Sequence, residues 1–250
     1  MTDQELIDII DDFIDNIKGL DKFTEDELRE ANAVIDTEYR DLYAITAEGD
    51  FETRKGINEV DRQYVEVIDN SNSLQEEVIA GVIIGILMYK GRDKDIREVN
   101  RVLSHMMEVN DISVNEIIEK YKRTRKARLR NIPKIALQNG LSLTKIIKEL
   151  RKAKRTDKNS LDAVMKTVAM ASYNERLMVE MKDEGVEKVI YTAVLDNRTT
   201  QFCKDHDGKI YDIDSAVYLP AHYRCRSSYL PVPKDKSAKN YKEVVKRYKT

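Results

Sequence analysis

Apolar positions along the chain recur mainly at helical spacing. Leu6, Ile9, Ile10, Phe13 and Ile17 predict a first amphipathic helix. Thr24-Glu25-Asp26-Glu27 reads as a capping box and predicts a second helix running towards Ala47. Ser73 reads as the cap of a helix from Leu74 to Tyr89, apolar all round from Val78 to Ile86 and therefore expected in the core or an interface. The helical pattern continues over Asp93–Val109 and from Ser113 to about Asn131, where Ile132-Pro133 is expected to break it. Asn139-Gly140 ends a short helix, Ser142 opens a basic one through Lys154, and Asp157–Glu184 is the longest helical run, closed by Gly185 at C′. The pattern then changes. Val186–Leu195 is β-branched and compact and predicts a strand, Asp207-Gly208 marks a turn, and Lys209–Tyr211 predicts a second short strand.

The fold class that follows is mainly α: a helical region followed by a small α+β module. The expected division is a helical region over 1–156, a long helix with the C-terminal module over 157–233, and a basic tail over 234–250. Composition narrows the class further. With 41% hydrophobic and 35% charged residues, and only 9 Gly and 4 Pro, the chain is neither collagenous nor an all-β sandwich rich in turns. Its longest apolar run is Val78–Tyr89, short of the roughly 20 residues that cross a bilayer, so no membrane contact is expected. The acidic start lacks the features of a signal peptide, and two cysteines make no disulfide scaffold. A soluble protein made in a reducing compartment is expected.

Charge is strongly segregated. Residues 1–50 hold sixteen Asp/Glu against four Lys/Arg, whereas residues 120–155 hold fourteen Lys/Arg against Glu149 alone. A long one-signed run points to a phosphate backbone or an acidic protein surface, with solvated helix faces as the competing explanation. The candidate contacts are Arg123, Arg125, Lys126, Arg128, Arg130, Lys152, Lys154 and Arg155. With only Tyr121 interleaved, base stacking is not expected, and any nucleic acid would be held by its backbone. Replacing Arg123, Arg125, Lys126 and Arg128 by Gln is expected to abolish such binding and leave the fold intact.

Both cysteines and two of the three histidines fall between 203 and 225, as Cys203-x2-His206 and His222-x2-Cys225. Two pairs with two-residue separations can close a tetrahedron around one ion, and S/N donors favour Zn²⁺ over Mg²⁺ or Ca²⁺. The expected role is structural, in a module with little apolar surface of its own. Ordinary buried cysteines and hydrogen-bonded histidines remain the alternative. Arg224 and Arg226 flank Cys225 and are expected to lower its thiol pKa. Catalysis is not expected. Asp205-His206-Asp207 lacks the further His or Asn that a His-metal nuclease needs, a Cys203–His222 or Cys225–His206 nucleophilic pair lacks an oxyanion segment, and His105 stands alone.

Read in order, Tyr191, Ala193 and Asp196, then Arg198-Thr199, Cys203, His206, Asp207-Gly208-Lys209, Pro220, His222, Cys225 and Arg226 resemble the Mu F-like family of phage minor head (head morphogenesis) proteins. The resemblance covers about 160–233. It departs from the family pattern at Tyr191, where Trp is usual, at Cys225-Arg226-Ser227 in place of Cys-Arg-Cys, and at Thr167-Val168-Ala169 in place of Arg-Thr-Glu. The resemblance implies a structural, non-enzymatic minor head protein in the virion, near the portal, present in the host cytoplasm during assembly. Its implied partners are the portal protein and the major capsid protein, with a role in head assembly and DNA packaging or ejection, and the basic stretch adds non-specific double-stranded DNA contact as an expectation. A zinc-containing nucleic-acid-binding module and a divergent metal-dependent nuclease are the alternatives. In this sequence no toxin or ADP-ribosylating domain is expected after Pro233. Asp196 is expected to cap the turn carrying Cys203, with Arg198 anchoring a carboxylate or carbonyl.

Overall fold

A computed structural model describes residues 3–88 and 96–232. The packing of Leu6–Ile17, the stretch 89–95 and the tail 234–250 lie outside the described residues. The element order is α1 (Asp3–Glu48), α2 (Arg54–Leu87), α3 (Ile96–Ser104), β1 (Met106–Met107), β2 (Ile112–Ser113), α4 (Val114–Asn139), α5 (Leu143–Asp183), β3 (Lys188–Thr192), α6 (Gln201–His206), β4 (Ile210–Asp212) and β5 (Ser228–Pro231). The mainly helical class with a small C-terminal sheet is as the periodicity predicts.

Four expected helix boundaries are absent, each for a local reason. Thr24 caps nothing: its hydroxyl donates to the Leu20 carbonyl at 2.7 Å, one turn back, and α1 runs straight through it. Ser73 makes the same bond to Asp69 at 3.2 Å inside α2. Pro133 lies within α4, where buried Leu129, Ile132 and Ala136 form one face across it and packing outweighs the lost backbone bond. Asp157 resembles a helix-opening acid but is buried in the middle of α5, its carboxylate facing other side chains rather than free amides. Other boundaries follow the turn chemistry. Gly185 and Gly208 take φ of +72° and +76°, in the left-handed region open to glycine, and they end α5 and turn the chain into β4.

Contacts divide the chain into two compact units, each assembled from segments distant in sequence: Met1–Thr24, Val82–Asn115 and Lys166–Thr250 in one, Glu25–Gly81 and Glu116–Met165 in the other. The second unit is all helical. Its core is built from Ile35, Tyr39 and Leu42 of α1, Val60, Tyr64 and Ile68 of α2, Ile117 and Leu129 of α4, and Leu150 and Leu161 of α5. The first unit holds an antiparallel sheet in the order β4-β3-β5, with Val189 opposite Tyr211 on one side and Pro231 on the other. Met181, Val189, Tyr191, Ile213, Leu219 and Tyr229 pack around it, with both cysteines among them. The apolar run at the end of α2 buries Val82, Ile83, Ile86 and Leu87 but leaves Ala80, Gly81 and Met88 exposed, so it is one-faced rather than enclosed. No described helix is long and apolar enough to cross a membrane.

Candidate metal centre

Strand β3 delivers the first part of the site. Tyr191, fully buried on it, donates its hydroxyl to Cys203 Sγ at 3.2 Å. The chain then turns at Asp196 and enters α6, whose N-cap is Thr200: its hydroxyl accepts from Cys203 N at 3.4 Å. Cys203 thus sits on the first turn of α6 with its sulfur towards the core. The second part arrives from the loop before β5, where Cys225 N donates to the His222 carbonyl at 3.1 Å and closes a tight turn. Arg224 inside that turn takes φ +55°, and its backbone N–H donates to the Thr167 hydroxyl on α5 at 3.0 Å.

These two turns bring Cys203, His222 and Cys225 together, with one ligand atom of each lying within 4.8 Å of the others. Cys203 Sγ is 3.1 Å from His222 Nε2 and 3.8 Å from Cys225 Sγ. Two thiolates at about 2.3 Å from a tetrahedral Zn²⁺ lie about 3.8 Å apart, so the sulfur spacing suits that ion. His222 Nδ1 lies 2.8 Å from the Tyr223 carbonyl. A carbonyl only accepts, so Nδ1 carries the proton, and with the ring neutral the Nε2 lone pair faces inwards, as a metal-binding histidine requires. The donors fit a metal ion, and this group can hold one.

The electrostatics agree with thiolate character at Cys203. The hydrogen bond from Cys225 pulls the Cys203 thiol well below its ordinary value against the effect of burial, with His222, Ser227 and Tyr191 adding to it. The same contact, together with burial, pushes Cys225 well above its ordinary value. The expected lowering of Cys225 by flanking arginines therefore does not occur: Arg226 is turned to Asp196 Oδ2 at 2.7 Å instead. Burial pushes His222 down, but its contacts with Cys203 and the Tyr223 carbonyl outweigh that and raise it.

His206 is not part of the group. Its Nδ1 lies 2.7 Å from the Phe202 carbonyl one helical turn back, and its ring stacks on Phe202 with centroids 4.1 Å apart. A two-residue separation on a helix holds His206 to its own backbone, whereas the same separation in the His222–Cys225 turn converges on the site. Thr200 and Ser227 contact the trio instead, the Thr200 hydroxyl 3.0 Å from His222 Nε2. Nothing in residue spacing marks either one. The Cys203–His222 approach is also that of a nucleophile and its base, yet Cys203 is 2% and Cys225 0% exposed, so neither sulfur is presented to a substrate.

The remaining motif residues brace this centre. Asp196 accepts from the Arg198 backbone N–H at 2.8 Å and from the guanidinium groups of Arg198 and Arg226, while the Thr199 hydroxyl donates to the Val194 carbonyl at 2.6 Å. The helix carrying Cys203 is capped by Thr200 rather than Asp196, which ties the strand end to Arg226. Asp207 Oδ1 accepts from Ala193 N at 2.8 Å, and Gly208 N donates to the Tyr191 carbonyl at 2.8 Å. Pro220 follows a cis peptide, and its carbonyl lies 2.9 Å from His105 Nε2, which gives the isolated histidine a structural place.

Five of the eight candidate basic contacts are paired within their own unit. Arg125 is fully buried, paired with Glu38 and with Asp157 at 3.4 Å, and donates to Ser71 and Asn72. Lys126 pairs with Asp69 at 2.6 Å, Arg128 with Asp157 at 2.7 Å, Arg130 with Asp61 at 2.8 Å and Lys154 with Asp36 at 2.8 Å. Arg125 is therefore not available to a polyanion, and the expectation that its replacement spares the fold is corrected. Arg123, Lys152 and Arg155 are exposed, and so are Lys145, Lys148 and Arg151 of α5.

No curated protein and no solved structure matches the chain. A family model does match, over residues 116–230, a span that takes in α4, α5 and every element contributing to the metal centre. With that match the resemblance carried by Tyr191, Asp196, His222, Cys225 and their neighbours is shown, and residues 116–230 match the family described as Phage Mu protein F like protein.

Proposed function

We propose that this protein is a minor head protein of a tailed bacteriophage, acting in head morphogenesis as a structural component rather than an enzyme. The observation that carries this reading is the family match over residues 116–230. Its place is the virion, at or near the portal vertex, after assembly in the host cytoplasm. There it contacts the portal protein and the major capsid protein and supports DNA packaging or ejection. A zinc ion on Cys203, His222 and Cys225 acts as a clamp, joining α6 to the turn before β5. Burial of both sulfurs supports a structural role rather than catalysis on a bound substrate.

The same reading assigns non-specific duplex DNA contact to the outward face of α5. Lys145, Lys148, Lys152 and Arg155 are spaced three and four residues apart, share that face and are exposed. The deciding experiment for the assembly role is affinity capture of the full chain in infected cells. Co-purification with portal rings and presence in purified particles are expected; a protein found in neither, and dispensable for head formation, is not a head protein.

A further inference from the structure

The chain contains two cysteines, both free, both buried, and their sulfurs are 3.8 Å apart. A disulfide needs about 2.05 Å, so roughly 1.8 Å of closure separates the pair from a covalent bond. Each sulfur sits on an independently held element, Cys203 on capped α6 and Cys225 in the turn closed by its own N–H on the His222 carbonyl. His222 is the least buried of the three residues.

We propose that Cys203 and Cys225 form a disulfide in exchange for the metal. The clamp between α6 and the turn before β5 is then metal-held under reducing conditions and covalent under oxidising ones. This rests on the metal reading above, because the same two sulfurs cannot serve both bonds: a disulfide leaves a single imidazole, which does not retain the ion. With hydrogen peroxide as the oxidant the steps balance. Cys203 Sγ attacks one peroxide oxygen, the O–O bond breaks, and the departing hydroxide takes a proton to become water, leaving a sulfenic acid. Cys225 Sγ then attacks that sulfur, the S–O bond breaks, and the second hydroxide leaves as water. The two thiolates lose two electrons in total, peroxide is reduced to two waters, and the metal departs as the free dication.

The test uses the full chain purified with zinc, its content measured before any oxidation. Hydrogen peroxide is added, released zinc is followed with a chromogenic chelator, and intact mass is recorded under denaturing, non-reducing conditions. Loss of the zinc together with a mass lower by two hydrogens is expected, with dithiol reductant plus zinc restoring both. Cys225→Ser should show no two-hydrogen loss and instead gain oxygen at Cys203. Zinc-loaded protein that gains only oxygens, or that forms the disulfide while keeping its zinc, overturns the exchange and leaves the metal reading standing. Protein isolated and reconstituted without any zinc uptake overturns the metal reading and the exchange with it.

Discussion

Arg125→Met is the perturbation with the largest consequence in the helical unit. The guanidinium is fully buried and faces Glu38, itself 3% exposed, and Asp157, which is 0% exposed. Removing it leaves Glu38 with only the Ser71 hydroxyl, donating at 3.0 Å, while Asp157 keeps Arg128 and the Tyr39 hydroxyl. Breaking one partner out of a buried ion pair costs about 3–5 kcal/mol, because the remaining charge stays out of water. For a chain of this size each kcal/mol moves the melting temperature by about 2–4 °C, so a fall of roughly 10 °C is expected. Circular dichroism melting at neutral pH measures it, with Arg123→Met as the exposed control, expected within about 0.5 kcal/mol of wild type. Glu38→Leu combined with Arg125→Met removes the orphaned carboxylate and should melt above Arg125→Met alone. An Arg125→Met protein melting within about 2 °C of wild type, or a double variant no better than the single, would refute the assignment of this network as a buried, mutually dependent set.

Four further outcomes are expected. Purified protein should carry one tightly bound zinc, which His222→Ala loses and His206→Ala retains by elemental analysis; the reverse order would return His206 to the ligand set. The guanidinium of Arg226, aided by the Arg198 backbone N–H, holds the Asp196 carboxyl well below the usual carboxylate range. Its contribution is therefore full above about pH 4, the unfolded value, and is lost as pH falls through the folded one. Wild type should lose stability more steeply than Arg226→Gln on descending from pH 4 to pH 2, and parallel curves would contradict the pairing. Asp196→Asn should lower stability or assembly without removing a hydrolytic activity, and loss of a measurable nuclease activity on that change would overturn the non-enzymatic reading. The full chain should bind duplex DNA weakly and without sequence preference at about 50 mM salt and lose it by about 200 mM. Replacing Lys145, Lys148, Lys152 and Arg155 by Gln should remove that binding with the melting temperature unchanged; binding that persists, or none in the wild type at low salt, removes DNA from this face.

The fate of the basic stretch shows how a linear charge pattern misleads. Fourteen Lys/Arg between 120 and 155 suggest a surface awaiting a polyanion, and sixteen acids in residues 1–50 suggest a separate acidic region. Glu25–Gly81 and Glu116–Met165 pack in one unit, and the two patterns meet there: Lys154 shares Asp36 with Lys158 and Arg125 closes on Glu38, while Arg130 holds Asp61 of α2. The half-exposed members of this set contribute little to stability individually, since solvent screens them. Their uniform pairing nevertheless fixes which basic groups stay available, and it moves the candidate DNA face from α4 to α5.

From sequence alone the helical class, the change of texture at Gly185, both left-handed glycine turns and the family resemblance were legible, because each depends on local periodicity or on backbone conformations open to few residues. The group Cys203, His222 and Cys225, which can hold a metal ion, was legible too, from the clustering of Cys and His. Helix continuity was not: a threonine, a serine or an aspartate looks the same whether it caps a helix or bonds back to it, and only the groups facing Thr24, Ser73 and Asp157 decide. Nor could spacing separate His206 from His222, each two residues from a cysteine. One pair lies on a helix, where His206 bonds to its own backbone and stacks on Phe202. The other closes a tight turn braced from α5 by Thr167, a residue more than fifty positions away, and it is that tertiary contact that sets the turn carrying His222 and Cys225 beside Cys203.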